Sequence, residues 1–316
     1  MSAFLTPEQL AHRTARAVDA AVRAARGLGL TVTGPRVLHD VFSVVVHLEP
    51  APVVARVLTV LPHYADLASQ ATRQRAELGV VRWLADRGVP VIPPSPLVPA
   101  EPVQVDGFSM TFWQYVEPAP DAEPDYVANC GLVAGLHAAM RDYPGELSFL
   151  SAAEPRFIED SLALLAERPD LVEPADLDRA GREWRALEPM VRSRAEFEAR
   201  FPGIDLRPVH GDCPPANIFP SLHGNLYADF EMVTLGPVEW DLAGLGPDGE
   251  AAYDREADRL GLRRLDRDVL RFVTAVGMLR GLAALALAPQ LPMLVEAIGP
   301  LVEQWRSTPF AGGLAD

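Results

Sequence analysis

The first third of the chain contains short β-branched and apolar runs of the kind that form β-strands. β-branched and apolar runs at residues 42–48 and 53–58 flank a proline-rich turn, and this arrangement predicts a hairpin. Residues 102–105 and 110–116 flank the turn Asp106-Gly107 in the same way, so a second pair of strands is predicted there.

Helical patterns lie on either side of the first hairpin. The segment 6–27 begins with Thr6, which can cap a helix, and Gln9 completes a capping box with it. Residues 73–87 place apolar side chains at helical spacing. The first part of the chain is therefore predicted to be a small antiparallel sheet with helices beside it.

Beyond residue 117 the pattern is mostly helical. Prolines at positions 118, 120 and 124 mark a boundary, and helices are expected at 130–140, 157–166, 177–201 and from 248 onward. The expected fold class is α+β in two lobes. Residues 1–116 would form a small antiparallel-sheet N-lobe, and residues 117–316 a mostly helical C-lobe.

Composition and charge limit the range of partners. The 316 residues are 49% hydrophobic and 22% charged, as in an ordinary globular protein, and the formal net charge is -15. Such a field repels nucleic acid and anionic membranes and favours cationic ligands. We therefore expect neither a nucleic-acid partner nor a membrane partner. Net charge alone leaves open whether the acidity attracts substrate or only keeps the protein in solution.

Cysteine content and apolar segments favour a cytoplasmic location. Cys130 and Cys213 are too few and too far apart to suggest a disulfide framework or a zinc site. The first residues lack the apolar region of a secretory signal. The most apolar stretch, 269–288, contains Arg271 and Arg280, which favours a buried helix over a membrane span.

The segment 209–243 carries the candidate chemistry. His210-Gly211-Asp212 follows an apolar step, and Asn217 comes five residues after Asp212. Two short strands are predicted next, and Asp229 follows the second one directly. A hairpin there would bring oxygens of Asp212, Asn217 and Asp229 together. Phosphoryl transfer needs a carboxylate near the attacking hydroxyl and oxygen ligands for Mg²⁺ on the phosphates.

The spacing of these elements resembles that of the aminoglycoside phosphotransferase and choline kinase family. The elements are His-Gly-Asp, four residues, Asn, a hairpin, Asp-Phe-Glu, Gly-Pro and Trp-Asp-Leu-Ala. The resemblance implies the protein-kinase-like two-lobed fold. It also implies transfer of the γ-phosphoryl group of ATP, with Mg²⁺ and with GTP not excluded, to a hydroxyl of a small molecule. A cationic aminoglycoside or amino alcohol and an uncharged sugar or antibiotic both stay open as substrates, and the oligomeric state is not predicted.

For the catalytic region, the resemblance implies roles residue by residue. Asp212 would be the catalytic base, and His210 would brace its loop. Asn217 and Asp229 would be the metal ligands. Asp241 would be a buried carboxylate that supports the loop from behind.

For the nucleotide, the resemblance points to the N-lobe. Arg56 on the third strand would touch the phosphates, with Glu77 as its helix partner. Backbone groups near Gln114 and Val116 would pair with the base, and Ser43 would offer a hydroxyl. In a plainer interpretation, Arg56 caps the sheet edge and Glu77 lies on an exposed helix face.

Two departures from the family pattern leave alternatives open. Pro214 stands where kinases carry Lys and this family often carries His, and the turn 39–43 lacks glycine. They motivate a nucleotide-binding pseudokinase or sensor as the alternative to an enzyme. A non-enzymatic helical interaction protein is a third hypothesis, and it predicts no Mg²⁺-dependent nucleotide binding.

Overall fold

A computed structural model describes residues 3–120 and 123–314, and its first part is a five-stranded antiparallel sheet with two helices. The elements in chain order are α1 (Pro7–Gly27), β1 (Val32–Asp40), β2 (Ser43–Pro50), β3 (Val53–Leu58), α2 (Leu67–Ala85), β4 (Val103–Val105) and β5 (Phe108–Gln114). The strands lie in the order β1-β2-β3-β5-β4. The hairpin predicted for residues 42–58 is confirmed, and β1 extends the sheet on its other side.

Helix α1 covers one face of this sheet. The predicted capping box is present, since Thr6 Oγ1 accepts from the Gln9 N–H (3.3 Å) and Gln9 Oε1 accepts from the Thr6 N–H (2.9 Å). Small buried side chains at helical spacing, including Ala17, Ala21 and Ala24, pack against the sheet. Because these side chains are short, the helix backbone can approach the strands closely.

The alternation of β3 directs Arg56 to the other face. Val53, Ala55 and Val57 belong to the apolar cluster under α1, whereas Val54 belongs to the cluster around α2. Arg56 shares the side of Val54 because side chains alternate along a strand. A buried guanidinium is thereby placed between the sheet and α2.

The remaining chain is mostly helical. Its helices are α3 (Tyr126–Met140), α4 (Pro155–Leu165), α5 (Pro174–Arg192), α6 (Arg194–Arg200), α7 (Gly246–Arg259), α8 (Arg267–Ala283) and α9 (Leu294–Ser307). Its short strands are β6 (Arg207–Val209), β7 (Ile218–Ser221), β8 (Gly224–Tyr227) and β9 (Thr234–Gly236). β6 pairs with β9, and β7 pairs with β8. The α+β, two-lobed fold class is confirmed.

The most apolar segment of the chain is a core helix. Within the described ranges, Arg267–Leu287 is the helix long and apolar enough to cross a membrane. Its apolar side chains Phe272, Val276 and Leu279 are fully buried in the largest apolar cluster. This packing agrees with the prediction of a buried helix.

Several predicted element boundaries are wrong: α2 begins at Leu67 and not at residue 73, and α3 begins at Tyr126 and not at residue 130. The single helix expected over 177–201 is split, because Ser193 is extended (φ -119°, ψ 114°) and its Oγ accepts from the Glu196 N–H (3.3 Å) to cap α6. The strand expected over 110–116 ends at Gln114 instead, so Val116 follows it in the connection to the C-lobe.

An apolar cluster joins the two lobes beside the cleft. Leu78 and Leu84 of α2 pack in one cluster with Leu136 of α3 and Phe230, which follows β8. Because both lobes contribute to this cluster, their facing surfaces are held next to each other. Most of the candidate site residues from the sequence analysis line the cleft at that junction.

Candidate active site

The β7–β8 hairpin places Asn217 beside the start of the Asp229 segment. Ile218 is the register partner of Tyr227, and the Ala228 N–H donates to the Asn217 carbonyl (2.9 Å). The Asn217 Nδ2 donates to the Asp212 carbonyl (2.6 Å). This bond uses the amide nitrogen of Asn217 and leaves its side-chain oxygen available for a cation.

The loop that carries Asp212 is held by Asp241. Asp241 Oδ2 accepts from the His210 N–H (2.8 Å), and Oδ1 accepts from the Gly211 N–H (2.7 Å). The ring of His137 bonds the same carboxylate through Nε2 (2.9 Å). Asp241 and His137 have no exposed surface. A buried carboxylate with three partners is stable there, and it fixes two consecutive backbone groups.

Gly211 turns the chain sharply between His210 and Asp212. Its φ is +91°, in the left-handed region, and a Cβ at this position would lie 1.9 Å from the Met232 carbonyl oxygen. Trp240 Nε1 donates to the Gly211 carbonyl (2.9 Å). Only glycine fits such a turn, which directs the Asp212 side chain away from the core.

His210 links the loop to the strand before Asp229. Its Nε2 donates to the Ala228 carbonyl (2.8 Å), and its Nδ1 faces the Asp212 N–H (3.4 Å). The ring packs against Phe230 with centroids 4.5 Å apart. His210 is fully buried, so its ring lies between the loop and this segment and is closed off from the cleft surface.

Asp212 lies where two cavities meet. The interlobe cleft, of about 380 Å³, is bounded by the β1–β2 turn, β3, the end of β5 and residues 228–231. The C-lobe pocket, of about 260 Å³, is bounded by residues 211–213, the segment after Trp240, α8 and α9. Asp212 lines both. Burial raises the pKa of its carboxyl above the usual value, although Arg280 and His210 oppose this, and a raised pKa makes a carboxylate a better proton acceptor.

Arg56 faces three carboxyl groups in the cleft, one from α2 and two from the segment between β8 and β9. Its guanidinium contacts Glu77 of α2 and Asp229, and Glu231 lies 3.5 Å away. Burial raises the pKa of Glu231 to about 7, with Asp229 and Asp212 adding to the effect against Arg56. Burial also raises the pKa of Glu77 to about 8, so a bound cation would favour the ionised forms of these carboxyl groups.

The other predicted nucleotide residues line the same cleft. Ser43 opens β2, and Phe42 beside it is 43% exposed at the glycine-free turn. The Gln114 N–H already donates to the Pro93 carbonyl (2.9 Å). Across the described part of the chain, the backbone N–H and C=O of Val116 have no hydrogen-bond partner. The backbone groups of Val116 are therefore free for a ligand, whereas the N–H of Gln114 is already used.

The donor set fits a Mg²⁺ ion held jointly with phosphates. In the described ranges no cluster of three or more His, Cys, Asp and Glu side chains could hold a metal ion. Asn217 and Asp229 would offer two side-chain oxygens, and Mg²⁺ in phosphoryl-transfer sites takes few protein ligands and keeps its waters. Asn217 does not line the cleft itself, but its bonds to Asp212 and Ala228 hold it adjacent.

Sequence reasoning missed Arg280 and Glu154. Arg280 of α8 lies 3.9 Å from Asp212 Oδ1, and it donates to Glu154 Oε2 from Nε (3.1 Å) and Nη2 (3.0 Å). Arg73 of α2 donates to the other Glu154 oxygen (2.8 Å). The sequence did contain an indication of this pair. Arg280 lies inside an apolar helix, and a buried arginine needs an anionic partner.

Replacing Asp241 tests the support of the loop. Asp241→Ala leaves the N–H groups of His210 and Gly211 and the ring of His137 without their acceptor, and we expect a loss of roughly 3 kcal/mol or more in unfolding free energy. Urea unfolding measures this. The exposed Asp142→Ala is the control and should change the free energy by less than about 0.5 kcal/mol. Equal midpoints for the two variants would contradict the supporting role.

The architecture matches known kinases. An aminoglycoside phosphotransferase of Streptomyces rimosus, solved with ADP and streptomycin, is 20% identical with a TM-score of 0.54 and covers 86% of this chain and 97% of its own. A microcompartment-associated aminopropanol kinase is 17% identical with a TM-score of 0.58 and covers 94% and 99%. The GDP and kanamycin complex of APH(2'')-IIia is 13% identical with a TM-score of 0.59 and covers 91% and 98%. At these identities the likeness concerns the fold.

Family membership rests on the sequence itself. No curated protein matches the chain. The family model described as the phosphotransferase enzyme family matches residues 45–274, which span most of β2, all of β3 to β5, the loop of Asp212 and the first part of α8. This match confirms the resemblance noted in the sequence. The chain therefore belongs to the phosphotransferase enzyme family.

Proposed function

We propose that this protein transfers the γ-phosphoryl group of ATP to a hydroxyl of a small molecule. The position of Asp212 supports this proposal, because Asp212 lines both the interlobe cleft and the C-lobe pocket. A phosphotransferase needs this arrangement, because donor and acceptor must meet in line at one group. Asp212 would orient the acceptor hydroxyl and take its proton.

The interlobe cleft would hold the nucleotide. Arg56 supplies a fixed positive charge for the phosphates, and Glu77 keeps its side chain in place. Free backbone groups at Val116, with the neighbouring Gln114, would pair with the base, and Ser43 offers a hydroxyl near the turn. These contacts do not choose between adenine and guanine, so GTP stays open as a donor.

Asn217 and Asp229 would hold Mg²⁺ at the phosphates. A bound Mg²⁺ neutralises charge on the transferring group and its leaving oxygen. The chain's own part is positional: the Asn217 amide is fixed by the Asp212 carbonyl, and Asp229 is fixed by Arg56. His210 and Asp241 would keep the loop in register with that segment.

The wider organisation follows from this site. We propose residues 1–116 as the nucleotide-binding lobe and residues 117–316 as the lobe with the base, the metal ligands and the acceptor. Two unpaired cysteines, Cys130 and Cys213, fit a reducing cytoplasm. Asp212 and Asp229 lie at one cleft with Asn217 adjacent, and this complete set favours turnover over the sensor alternative.

Asp212→Ala should abolish transfer without abolishing nucleotide binding. We expect ADP release with a panel of hydroxyl compounds to fall by about three orders of magnitude, because base and orienter are lost together. Thermal stabilisation by ATP with Mg²⁺ should remain. Asp142→Ala is the matched control and should turn over like the wild type. Equal turnover by Asp212→Ala and wild type would remove Asp212 from the mechanism.

Unlike Asp212→Ala, Asp229→Asn should weaken nucleotide binding itself. The isosteric amide keeps the volume but loses the charge, so the Mg²⁺-dependent part of nucleotide binding should weaken at least about tenfold. The measurement is the shift in melting temperature with ATP, compared with and without Mg²⁺. Wild type in EDTA provides the reference without metal. A variant with an unchanged Mg²⁺-dependent shift would rule out Asp229 as a ligand.

A further inference from the structure

The C-lobe pocket differs from the cleft in its charge. Its walls are largely apolar and include Trp240, Val273, Met278 and Leu301. Among its described lining residues, the charged ones are Asp212 and Arg280. An acidic protein of net charge -15 thus contains an acceptor pocket with one carboxylate and one guanidinium.

Arg280 is fixed at the carboxylate of Asp212. Its Nη1 lies 3.9 Å from Asp212 Oδ1, and Glu154 holds the guanidinium by bonds of 3.0 and 3.1 Å. Glu154 is only 11% exposed and is held in turn by Arg73 across the lobes. Arg280 and Arg73 keep the pKa of Glu154 below its usual value against the effect of burial. The Arg280 guanidinium is therefore held next to Asp212 by its bonds to Glu154.

This pairing disfavours a cationic acceptor. An ammonium group that enters beside Asp212 leaves water and finds that carboxylate already facing the Arg280 guanidinium, while Glu154 bonds Arg280 from outside the pocket lining. The pocket's described lining supplies no second carboxylate to compensate. Net charge spread over the surface does not change this local balance, because solvent and salt screen it within about 10 Å.

Neutral groups in the pocket suit hydroxyl-bearing compounds. Thr274 on α8 and Gln304 on α9 line it, and neither side chain bonds another group within the described ranges. They can bind hydroxyls of a ligand while the apolar walls bind its rings or alkyl groups. The pocket therefore matches an uncharged molecule with both apolar and hydroxylated faces.

We propose that the C-lobe pocket accepts an uncharged, partly apolar alcohol and that Arg280 excludes acceptors with an ammonium group. This inference rests on the proposed phosphotransferase function. It names the substrate class of the same site, and it decides between the cationic and uncharged substrates that the sequence leaves open. In this assignment Arg280 acts on specificity through its charge beside Asp212.

The test compares two probes of equal shape and different charge. Choline and 3,3-dimethyl-1-butanol differ in a quaternary nitrogen against a quaternary carbon. Both are titrated into wild type with Mg²⁺ and ADP, and binding is followed by ligand-observed NMR. We expect the neutral alcohol to bind at least about fivefold more tightly. Tighter or equal binding of choline, or no binding of either probe, overturns the inference.

Variants of Arg280 test the cause of the preference. Arg280→Gln should raise the affinity for choline relative to the neutral alcohol about tenfold, because Asp212 is left unpaired. Arg280→Lys keeps the charge and should keep the wild-type ratio. Arg271→Gln, on the exposed side of the same helix and paired with Asp268, is the control. A wild-type ratio in Arg280→Gln would refute the role of Arg280; if that variant does not fold, the wild-type comparison still decides the substrate class.

Gly277 allows the pocket itself to be closed. It lines the pocket on α8, and a Cβ there meets no atom within 4 Å, so Gly277→Phe can fill the space without a clash at its base. Binding of the neutral alcohol should be lost while ATP still stabilises the variant. Gly181→Phe on α5, also with no atom within 4 Å, is the matched control. Alcohol binding that survives Gly277→Phe would place the acceptor elsewhere.

These readouts separate two kinds of failure. Binding of the probes does not depend on turnover, so it judges the substrate class directly. ADP release in parallel samples, which contain ATP in place of ADP, judges the proposed function. Selective binding without any ADP release counts against phosphoryl transfer, whereas transfer to choline in preference to the alcohol keeps the kinase and overturns the inference.

Discussion

The site depends on the buried carboxylate of Asp241. It accepts the N–H groups of His210 and Gly211 and bonds the ring of His137, so three polar groups are satisfied in a region without water. Because those two N–H groups are consecutive, the carboxylate fixes a peptide plane as well as a point. The Asp212 side chain follows directly, and its direction is set by a group that never meets a ligand.

Charge divides the space around Asp212 into two unlike halves. On the side of Arg56, one guanidinium faces the carboxyl groups of Glu77, Asp229 and Glu231, and a divalent cation would favour their ionised forms. On the side of Arg280, one guanidinium faces Asp212 and Glu154, and of these two carboxylates only Asp212 lines the pocket. In the proposed function, Mg²⁺ binds on the nucleotide side, and the acceptor pocket does not have to bind a cation. The two halves can therefore select ligands independently.

Local chemistry made much of this site predictable. The spacing from His210 to Asp229 fits one loop and one short hairpin, and the positions of Asn217 and Asp229 follow from pairing within it. The capping box at Thr6 and the β2–β3 hairpin are equally local. The break at Ser193 was not predictable from apolar spacing, because a capping hydroxyl competed with a continuous helical pattern. The ion pairs of Arg280 join segments distant in sequence and depend on packing of the whole C-lobe.

Arg280 also bears on the departure at Pro214. The sequence lacks a cation at the loop position where kinases carry Lys, and the structure brings a guanidinium to Asp212 from α8 instead. A cation on α8 is anchored by Glu154 and, through Arg73, by the N-lobe. A lysine within the loop would move with the loop alone. The charge beside the proposed base is therefore tied to the relative position of the lobes, and separation of Arg73 from Glu154 would loosen the group that sets the acceptor pocket's charge.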